Sequence, residues 1–579
     1  MRSVRWSIGS TLALCVLFVS ACFRDPDDVG DRFSDALGDG KAGILGPQEC
    51  EDDNPCTEDR SAAGVGCLHL PVAATPCADA QPCMWQPSCV DGECKGTPRL
   101  FDKSLALSSK VDTVAAAAEL PNGDLLLVGH AHMEGIAGGY NRPFLLHEHG
   151  DGEQADPKQK FGLSWLDNGT SPEVALNVQV YGLVQMPSVP GGPVWATVGD
   201  TREVLEGAKM HAYLRTFTVE AGVKSHVEPS GIGDNTTFFA AATASTGAVL
   251  AVGFRDQSAT DKPDMTALAC RFFPDATFNN CLLVPPSEAA GGADFVHGQL
   301  HAVVAVPGPT ERWVVGGTRA KTESFEYWDG KPNPHVGIGS AGGLWLAAID
   351  GPPAKLAWQK LIKPAGEWPA ANVRNLTMLD DQTVLVYGVL GKPDHLSGQG
   401  WRAPYGGEGE NWLLRVRVSD GAVLAERRIQ FPGWSGRATV LGDRIVVHQN
   451  QSVENGDAQL YFFDKGFELL GSASLPTCVP EAMVPLANGD LLLAGRRPSS
   501  GSDPGDAQWV RVDPLGSLVC EPGSKCPLNS LLGCDDGDPC TVDVCDAAAG
   551  CQHDKQPDGV VCAPGKVCGA AGCATKSSP

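Results

Sequence analysis

A turn followed by an apolar run that ends at or near a glycine recurs along the middle of the chain. Residues 120–129 read LPNGDLLLVG and residues 486–495 read LANGDLLLAG, which is eight identities in ten positions. Self-similarity of this kind is the sequence signature of a repeat architecture. The seven units therefore end at these marker positions: Gly129, Gly199, Gly253, Gly316, Gly388, the degenerate His448, and Gly495.

Each unit continues into runs that alternate apolar and polar residues before a turn. Examples are HAYLRTFTVEAG, WLLRVRVSDGA and, in the last unit, AQWVRVDPLG. Such runs predict a third strand that leads by a hairpin to a fourth. Four short strands per unit, repeated seven times without a helical period, predict an all-β fold, a seven-bladed β-propeller over residues 98–522. Because the marker spacing varies from 47 to 72 residues, six or eight blades are alternatives, as is an array of β-sandwiches.

Cysteines cluster on both sides of the predicted propeller. Of 21 cysteines, seven lie between Cys50 and Cys94 and nine between Cys520 and Cys573, and the two clusters align as copies of one another. Clustered cysteines in an exported chain favour disulfides over zinc thiolates, because paired CxxC spacings are absent. We therefore predict two small disulfide-rich, loop-rich modules, at 49–97 and 523–579.

Three disulfides are predicted, two from the positions of their cysteines in the repeats and one from the comparison of the two cysteine clusters. Cys270 and Cys281 flank a hairpin, where a cross-strand bridge is feasible. Cys478 lies at the start of the last unit and Cys520 at its end, which predicts a disulfide that joins the two ends of the last blade. Ser61 replaces Cys545 in the first copy, which also lacks a counterpart of Cys526, so these two are predicted partners. Cys15 and Cys22 are set aside because they belong to the predicted signal peptide and lipid site described below, which leaves an odd number of cysteines. At least one must therefore lack an intramolecular partner, and Cys77, an extra thiol of the first copy, is the candidate.

The string CDDGDPCTVDVCD resembles the CTxDxC repeat of slime-mould extracellular proteins, which is common in predicted surface lipoproteins of myxobacteria. The resemblance covers residues 534–551 and implies a small extracellular structural or binding module without enzyme activity. Four aspartates crowd this segment and are candidate calcium ligands, although the spacing of an EF-hand is absent and a solvated acidic turn is the alternative. They are Asp535, Asp536, Asp538 and Asp543.

The N-terminus has the form of an export signal, a basic start and a short apolar run. It ends in Val19-Ser20-Ala21-Cys22, which resembles a bacterial lipobox, so residues 1–21 are the expected signal peptide and Cys22 the site of lipid attachment. An ordinary signal peptide is the alternative. The aspartate-rich segment 22–48 predicts a flexible tether. Cys22 is followed by Phe23 rather than Asp, which resembles the pattern in lipoproteins that are sorted to the outer membrane. This resemblance implies an outer-membrane or cell-surface location in a Gram-negative bacterium, with the membrane as a partner.

Charge excludes one class of partner. The chain carries 44 Lys and Arg against 69 Asp and Glu, a formal net charge of −25, which argues against nucleic acid. Its 42% hydrophobic content is ample for a core.

Candidate chemistry is sparse in the sequence. His130, His132, His147 and His149 form two alternating pairs, but the pairs end neighbouring strands of a predicted hairpin and should lie far apart, which excludes one four-histidine metal site. Residues 337–342 match GxGxxG without the flanking strand and helix of a dinucleotide site. The sequence assigns no catalytic residue.

Five tryptophans in predicted strands are expected in the core, whereas three in the connections could line a ligand face. The first set is Trp195, Trp313, Trp345, Trp412 and Trp509, and the second is Trp328, Trp401 and Trp434.

Three functions are compatible with these features. The first is a non-enzymatic binding or adhesion scaffold for an extracellular or envelope protein or glycan, with calcium as the one cofactor considered. The second is a propeller enzyme, a hydrolase, lyase or quinone-dependent oxidoreductase, and polar side chains from several blades meeting at the central channel would favour it. The third is a structural envelope protein without a ligand, because fold alone does not decide function.

Overall fold

The alternating repeats form short antiparallel strands, and the computed structural model contains strands and no helix among the residues it describes. These are residues 54–575 except for 55, 63–65, 73–83, 91–92, 99, 134–139, 151–162, 166–175, 190–191, 204–208, 219–221, 257–264, 285–294, 322–326, 329–330, 333–343, 364–369, 392–408, 430–435, 451–457, 476–477, 498–504, 515–539, 547–549, 556–560, 564–565 and 570–571. No helix within them is long and apolar enough to cross a bilayer.

The N-terminal cysteine-rich module belongs to one compact unit, residues 1–81 and 86–96, and the propeller to a second. Two hairpins form the module, β1 (Thr57–Ala62) with β2 (Gly66–Pro71) and β3 (Met84–Val90) with β4 (Glu93–Pro98). The disulfide Cys56–Cys89 packs at its centre against Val72 and Cys94.

Seven four-stranded antiparallel sheets form the blades, which confirms the predicted all-β, seven-bladed propeller. From the inner to the outer strand they are blade 1, β6 (Asp112–Glu119), β7 (Leu125–Met133), β8 (Tyr140–Glu148) and β9 (Leu163–Trp165); blade 2, β10 (Leu176–Val189), β11 (Gly192–Glu203), β12 (Met210–Thr218) and β13 (Gly222–Val227); blade 3, β14 (Thr236–Thr243), β15 (Val249–Asp256), β16 (Met265–Phe272) and β17 (Phe278–Val284); blade 4, β18 (Phe295–Ala305), β19 (Arg312–Lys321), β22 (Leu344–Asp350) and β23 (Lys355–Ile362); blade 5, β24 (Ala370–Asp380), β25 (Thr383–Gly391), β26 (Gly409–Arg417) and β27 (Val423–Ile429); blade 6, β28 (Gly436–Leu441), β29 (Arg444–Asn450), β30 (Ala458–Asp464) and β31 (Leu469–Leu475); and blade 7, β32 (Val479–Pro485), β33 (Leu491–Arg496), β34 (Ala507–Val512) and β5 (Phe101–Leu105).

The remaining strands are short. The hairpin β20 (Tyr327–Trp328) and β21 (Lys331–Pro332) lies in the connection within blade 4. The C-terminal module contains β35 (Thr541–Asp546), β36 (Gly550–Lys555), β37 (Val561–Ala563), β38 (Lys566–Gly569) and β39 (Gly572–Thr575). Its disulfide Cys540–Cys568 occupies the positions that Cys56 and Cys89 occupy in the first copy, as a duplicated framework requires.

The last blade takes its outer strand from the other end of the domain. Strand β34 pairs with β5, and Gln508 Nε2 donates to Asp102 Oδ1 at 2.8 Å across 406 residues of sequence. The prediction that the run AQWVRVDPLG leads by a hairpin to its own fourth strand was therefore wrong. Closure by a distant strand ties the two ends of the ring together and covers an edge that would otherwise be exposed.

The core lies between blades. Among the described residues, eight hydrophobic clusters join neighbouring blades: one at each of the seven interfaces, including blade 7 to blade 1, and a second, smaller one between blades 2 and 3. The five tryptophans predicted for the core are buried there, and each is at most 3% exposed. The side chain of Trp328, together with Trp401 and Trp434, lies outside the described residues.

The cysteines of the propeller divide into a bridge and a thiol. Cys270 on β16 is joined to its register partner Cys281 on β17. Cys478, by contrast, is a buried free thiol that packs with the apolar residues between blades 6 and 7. The predicted bridge from Cys478 to Cys520 is therefore not formed. Apolar residues of blades 6 and 7 enclose the Cys478 thiol. Cys520 itself lies outside the described residues.

Several predicted sites lie outside the described residues. They are Cys22, Cys77, Cys526, the side chain of Cys545, the aspartates Asp535, Asp536 and Asp538, and the side chain of Asp543. Within the described part of the chain, no group of three or more His, Cys, Asp or Glu side chains could hold a metal ion.

Candidate ligand site at the propeller axis

The marker glycine of each repeat lies in the second strand of its blade, against the main chain of the first strand. In five blades a Cβ atom at this glycine would collide with a main-chain carbonyl oxygen of the innermost strand. Only glycine fits so close an approach. The pairs are Gly129 with Thr113, Gly199 with Gln179, Gly253 with Thr237, Gly317 with Gln299, and Gly495 with Val479. In blade 4 the marker is thus Gly317, one residue beyond the predicted Gly316.

The innermost strand carries a β-bulge next to each of these glycines and next to Gly388, which has the same register. A bulge re-aims the extra side chain. The bulged residues, one from each of six blades, are Ala115, Tyr181, Phe239, His301, Arg374 and Glu481. In blade 6, His448 replaces the glycine and lies opposite Arg437 without a bulge.

All six bulged residues and Arg437 line one cavity of about 440 Å³ at the axis. The other residues around it are Thr113, His130, Gln179, Val180, Asn372 and Arg496. Every blade contributes, and the volume lies in the range of roughly 300–1,000 Å³ that holds small-molecule ligands. The structure therefore brings polar side chains from six of the seven blades together at the central channel, and blade 3 contributes Phe239.

One side of the cavity is aromatic. Blades 2, 3 and 4 contribute Tyr181, Phe239 and His301, which we call the aromatic arc. Tyr181 meets Phe239 edge-on with ring centroids 5.5 Å apart, and Phe239 stacks on His301 at 4.9 Å. The arc forms a continuous surface because neighbouring blades present the same bulged position.

The other side is charged. Blades 5, 6 and 7 contribute Arg374, Arg437 and Glu481, which we call the charged arc. Arg437 Nη2 lies 2.7 Å from Glu481 Oε2, and Arg437 Nε donates to the Glu481 carbonyl oxygen at 3.0 Å. Arg374 Nε is buried and has no hydrogen-bond partner among the described residues. With Arg496, three guanidinium groups face one carboxylate.

The positive charge of the cavity comes from arginine. Burial lowers the pKa of His301 to about 3, and Arg374 and Arg437 lower it further in the same direction. Burial likewise lowers the pKa of His130 to about 4. Both imidazoles are therefore neutral at pH 7, whereas arginine keeps its proton. The cavity carries a net charge of about +2 inside a chain with a net charge of −25.

A buried carboxyl group stands behind Tyr181. Asp200 on β11 is 2% exposed and accepts a hydrogen bond from Thr237 Oγ1 at 3.3 Å. Burial raises the pKa of Asp200 to about 7, against the opposing influence of Arg202, Thr237 and Tyr181. Burial also raises the pKa of Tyr181. Because the Tyr181 hydroxyl contacts Gln179 Oε1 as well, the phenol is held in place at the cavity wall.

The predicted histidine pairs separate as expected. Strand register places His132 opposite Asn141 and His147 opposite Leu126, at opposite ends of the β7–β8 hairpin. His147 and His149 both contact Asp124, at 3.1 and 2.9 Å, away from the axis. The strand register thus keeps the two pairs apart, and of these four histidines only His130 lines the cavity.

Sequence reasoning missed the bulged residues, although a signal for them exists. In four blades the bulged residue precedes its marker glycine by 14 positions, which gives Ala115, Phe239, Arg374 and Glu481. The intervals in blades 2 and 4 are 18 and 16 residues, for Tyr181 and His301. An alignment of the repeats to their glycines would have placed most of these residues in one ring.

Comparisons with known proteins give one family match and several weak structural similarities. A family model described as the Dictyostelium (slime mold) repeat matches residues 533–555, in the C-terminal module. No curated protein matches the chain. Three similar solved structures are the Dos1 propeller (8% identity, 71% of this chain and 94% of that chain, TM-score 0.37), the polysaccharide lyase Uly1 (8%, 73% and 93%, 0.39) and an ancestral GH74 enzyme (11%, 78% and 53%, 0.40). Such low identities and scores assign no activity to this chain.

Proposed function

We propose that this protein is a binding protein of the cell envelope that holds an anionic ligand in its axial cavity. One observation carries the proposal: Arg374 lines the axial cavity, and its Nε atom is buried without a hydrogen-bond partner among the described residues. A buried donor of a charged group that lacks a partner is costly. An anion in the cavity would supply that partner.

The carboxylate nearest to Arg374 is already engaged. Glu481 binds Arg437 through both its side chain and its carbonyl oxygen. Burial lowers the pKa of Arg374, and the positive charge of Arg437 lowers it further, so the two guanidinium groups repel one another. Adjacent guanidinium groups can each donate charge-assisted hydrogen bonds to one carboxylate, sulfate or phosphate, which removes this repulsion.

The location is proposed from the sequence. Residues 1–21 would direct export, Cys22 would carry the lipid, and the segment 22–48 would hold the folded parts away from an outer membrane or cell surface. Disulfides in the N-terminal module, blade 3 and the C-terminal module support an oxidising compartment. Metabolic labelling with palmitate, lost in Cys22→Ser, would test the anchor.

Binding can be tested by calorimetry and thermal shift at constant ionic strength. We expect organic and inorganic anions to raise the melting temperature of the wild type, and Arg374→Met to abolish this effect. Arg417→Met is the matched control, because Arg417 is an exposed residue of blade 5 paired with Asp420. Equal responses in both variants, or no response of the wild type to any anion, would show the proposal to be wrong.

A second candidate function is catalysis on the bound anion. His301 favours it, since its neutral imidazole lines the same cavity as Arg374 and can form a hydrogen bond with a substrate that the arginine holds. We expect His301→Gln to keep anion binding and to lose turnover if the site is catalytic. Product formation that is unchanged in this variant would remove His301 from the reaction.

A further inference from the structure

Residues that line the cavity carry hydrogen-bond acceptors without partners among the described residues, as well as positive charge. This combination limits the chemical class of the ligand. Resting on the proposed anion site, we infer that the ligand is an acidic sugar, a polyhydroxylated molecule that carries one anionic group. Three observations point to this class: an unpartnered amide oxygen beside Arg374, two unpartnered imidazole nitrogens, and the aromatic arc opposite the charged arc.

Asn372 supplies the first observation. It lies two residues before Arg374 on β24, is 8% exposed and lines the same cavity. Its Oδ1 atom is buried without a hydrogen-bond partner among the described residues. A buried acceptor without a donor destabilises the folded protein. Sulfate and simple carboxylates have no donor to offer at neutral pH, whereas a hydroxyl group beside the anionic group does.

The imidazoles supply the second observation. Nδ1 of His130 and Nε2 of His301 are both buried and lack a hydrogen-bond partner in the described part of the chain. A neutral imidazole offers one donor and one acceptor, and a hydroxyl group can pair with either. His130 and Asn372 belong to blades 1 and 5, which are as far apart as two members of a seven-membered ring can be. The ligand must therefore carry hydroxyl groups at more than one place.

The aromatic arc supplies the third. Tyr181 and Phe239 place apolar ring edges and faces against the cavity, opposite Arg374. Apolar C–H groups of the ligand pack favourably on such rings. An inorganic anion presents no C–H groups, and a small aliphatic acid lacks the hydroxyls, whereas a sugar acid satisfies the charge, the acceptors and the rings together.

The test measures binding of the oxidised, detergent-solubilised full chain by calorimetry. The probes are D-glucuronate and D-galacturonate, galactose 6-sulfate as a sulfated sugar, glucose as the neutral match, and acetate and inorganic sulfate as anions without a sugar. We expect an acidic sugar to bind at least tenfold more tightly than glucose, acetate and sulfate. Tighter binding of the uronates identifies a carboxylate, and tighter binding of galactose 6-sulfate identifies a sulfate ester; either supports the inference.

Variants of the cavity residues test recognition of the sugar separately from recognition of the anion. Asn372→Leu and His130→Phe should weaken the acidic sugar about tenfold and leave sulfate binding unchanged, whereas Arg374→Met should weaken both. His130→Gln, which keeps a polar side chain in place of the imidazole, should weaken the sugar less than His130→Phe. If acetate and sulfate bind as tightly as the sugars and depend on Arg374, the inference is overturned while the anion site stands. If no probe binds, the proposed function itself fails.

Discussion

Arg511 and Asp490 form a fully buried ion pair, with Arg511 Nε 2.8 Å from Asp490 Oδ2 and both side chains at most 1% exposed. Asp490 belongs to the LANGD turn of blade 7, and a second nitrogen of Arg511 contacts the Gly150 carbonyl oxygen of blade 1. In the matching turn of blade 1, Asp124 accepts from two histidines instead. The repeated turn thus binds different side chains in blades 1 and 7, and in blade 7 the arginine also joins the two ends of the ring.

Removing one partner of this ion pair should destabilise the protein strongly. We expect Asp490→Asn to lower the free energy of unfolding by about 3–5 kcal/mol, because it leaves the Arg511 charge buried without its carboxylate. Urea unfolding measures the change. Asp420→Asn, which breaks the exposed pair with Arg417, is the control and should cost ~0–1 kcal/mol. Similar losses in both variants would contradict the closure role of Arg511.

The marker glycine should tolerate no side chain. Gly253→Ala places a Cβ against the Thr237 carbonyl oxygen, so the bulge at Phe239 must shift; we expect a loss of about 1–3 kcal/mol and weaker ligand binding. Gly471→Ala, in the outer strand β31, has nothing within 4 Å of the added Cβ and is the matched control. Thermal unfolding of both variants checks this, and an undisturbed Gly253→Ala would refute the steric account.

Buried histidines should make stability depend on pH. Burial lowers the pKa of His448 to about 3, as it does for His301, whereas an unfolded histidine titrates near 6.5. Between these values the unfolded chain binds more protons, so stability is full above pH 6.5 and falls as the pH drops. We expect a loss of roughly 1–2 kcal/mol per histidine between pH 7.5 and 5.

His448→Leu should flatten this dependence, and urea unfolding at the two pH values measures it. Ile445→Val on the same strand is the control, because its cost of about 0.5–1.5 kcal/mol arises from lost packing and should be equal at both. A slope that His448→Leu leaves unaltered would show that this imidazole does not contribute.

Asp200 should make the stability depend on pH in the direction opposite to that of the buried histidines. Burial raises its pKa to about 7 in the folded state, whereas the unfolded side chain ionises near 3.8. The unfolded chain therefore binds fewer protons between these values, and stability falls as the pH rises from 4 to 7. We expect Asp200→Asn, which mimics the neutral acid, to gain roughly 1–3 kcal/mol relative to the wild type between pH 5 and 8. A constant difference across this range would contradict the assignment.

Thiol labelling distinguishes the state of Cys478. As a buried free thiol, it should resist iodoacetamide in the native protein and react after denaturation without reductant. Burial also raises the pKa of its thiol, which slows the reaction further in the folded state. Cys270, bridged to Cys281, should react only after reduction and serves as the internal control. Labelling of Cys478 that requires reductant would reinstate a disulfide.

The sequence by itself determined the number and type of repeating elements. Alternating strands, turn glycines and the match between residues 120–129 and 486–495 are local signals, so they predicted seven four-stranded blades and the buried tryptophans. The alignment of the two cysteine clusters likewise predicted the duplicated framework that holds Cys56–Cys89 and Cys540–Cys568.

Only the tertiary structure decided what meets at the axis and how the ring closes. Whether Arg374 points to the channel depends on a bulge, and the bulge depends on the register between two strands, which a one-residue slip would reverse. Closure by Phe101–Leu105 depends on pairing across 406 residues of sequence, and the burial of Cys478 depends on the packing of blade 6 against blade 7. No single repeat encodes packing between distant segments, so the residues that line the cavity come together only in the closed ring.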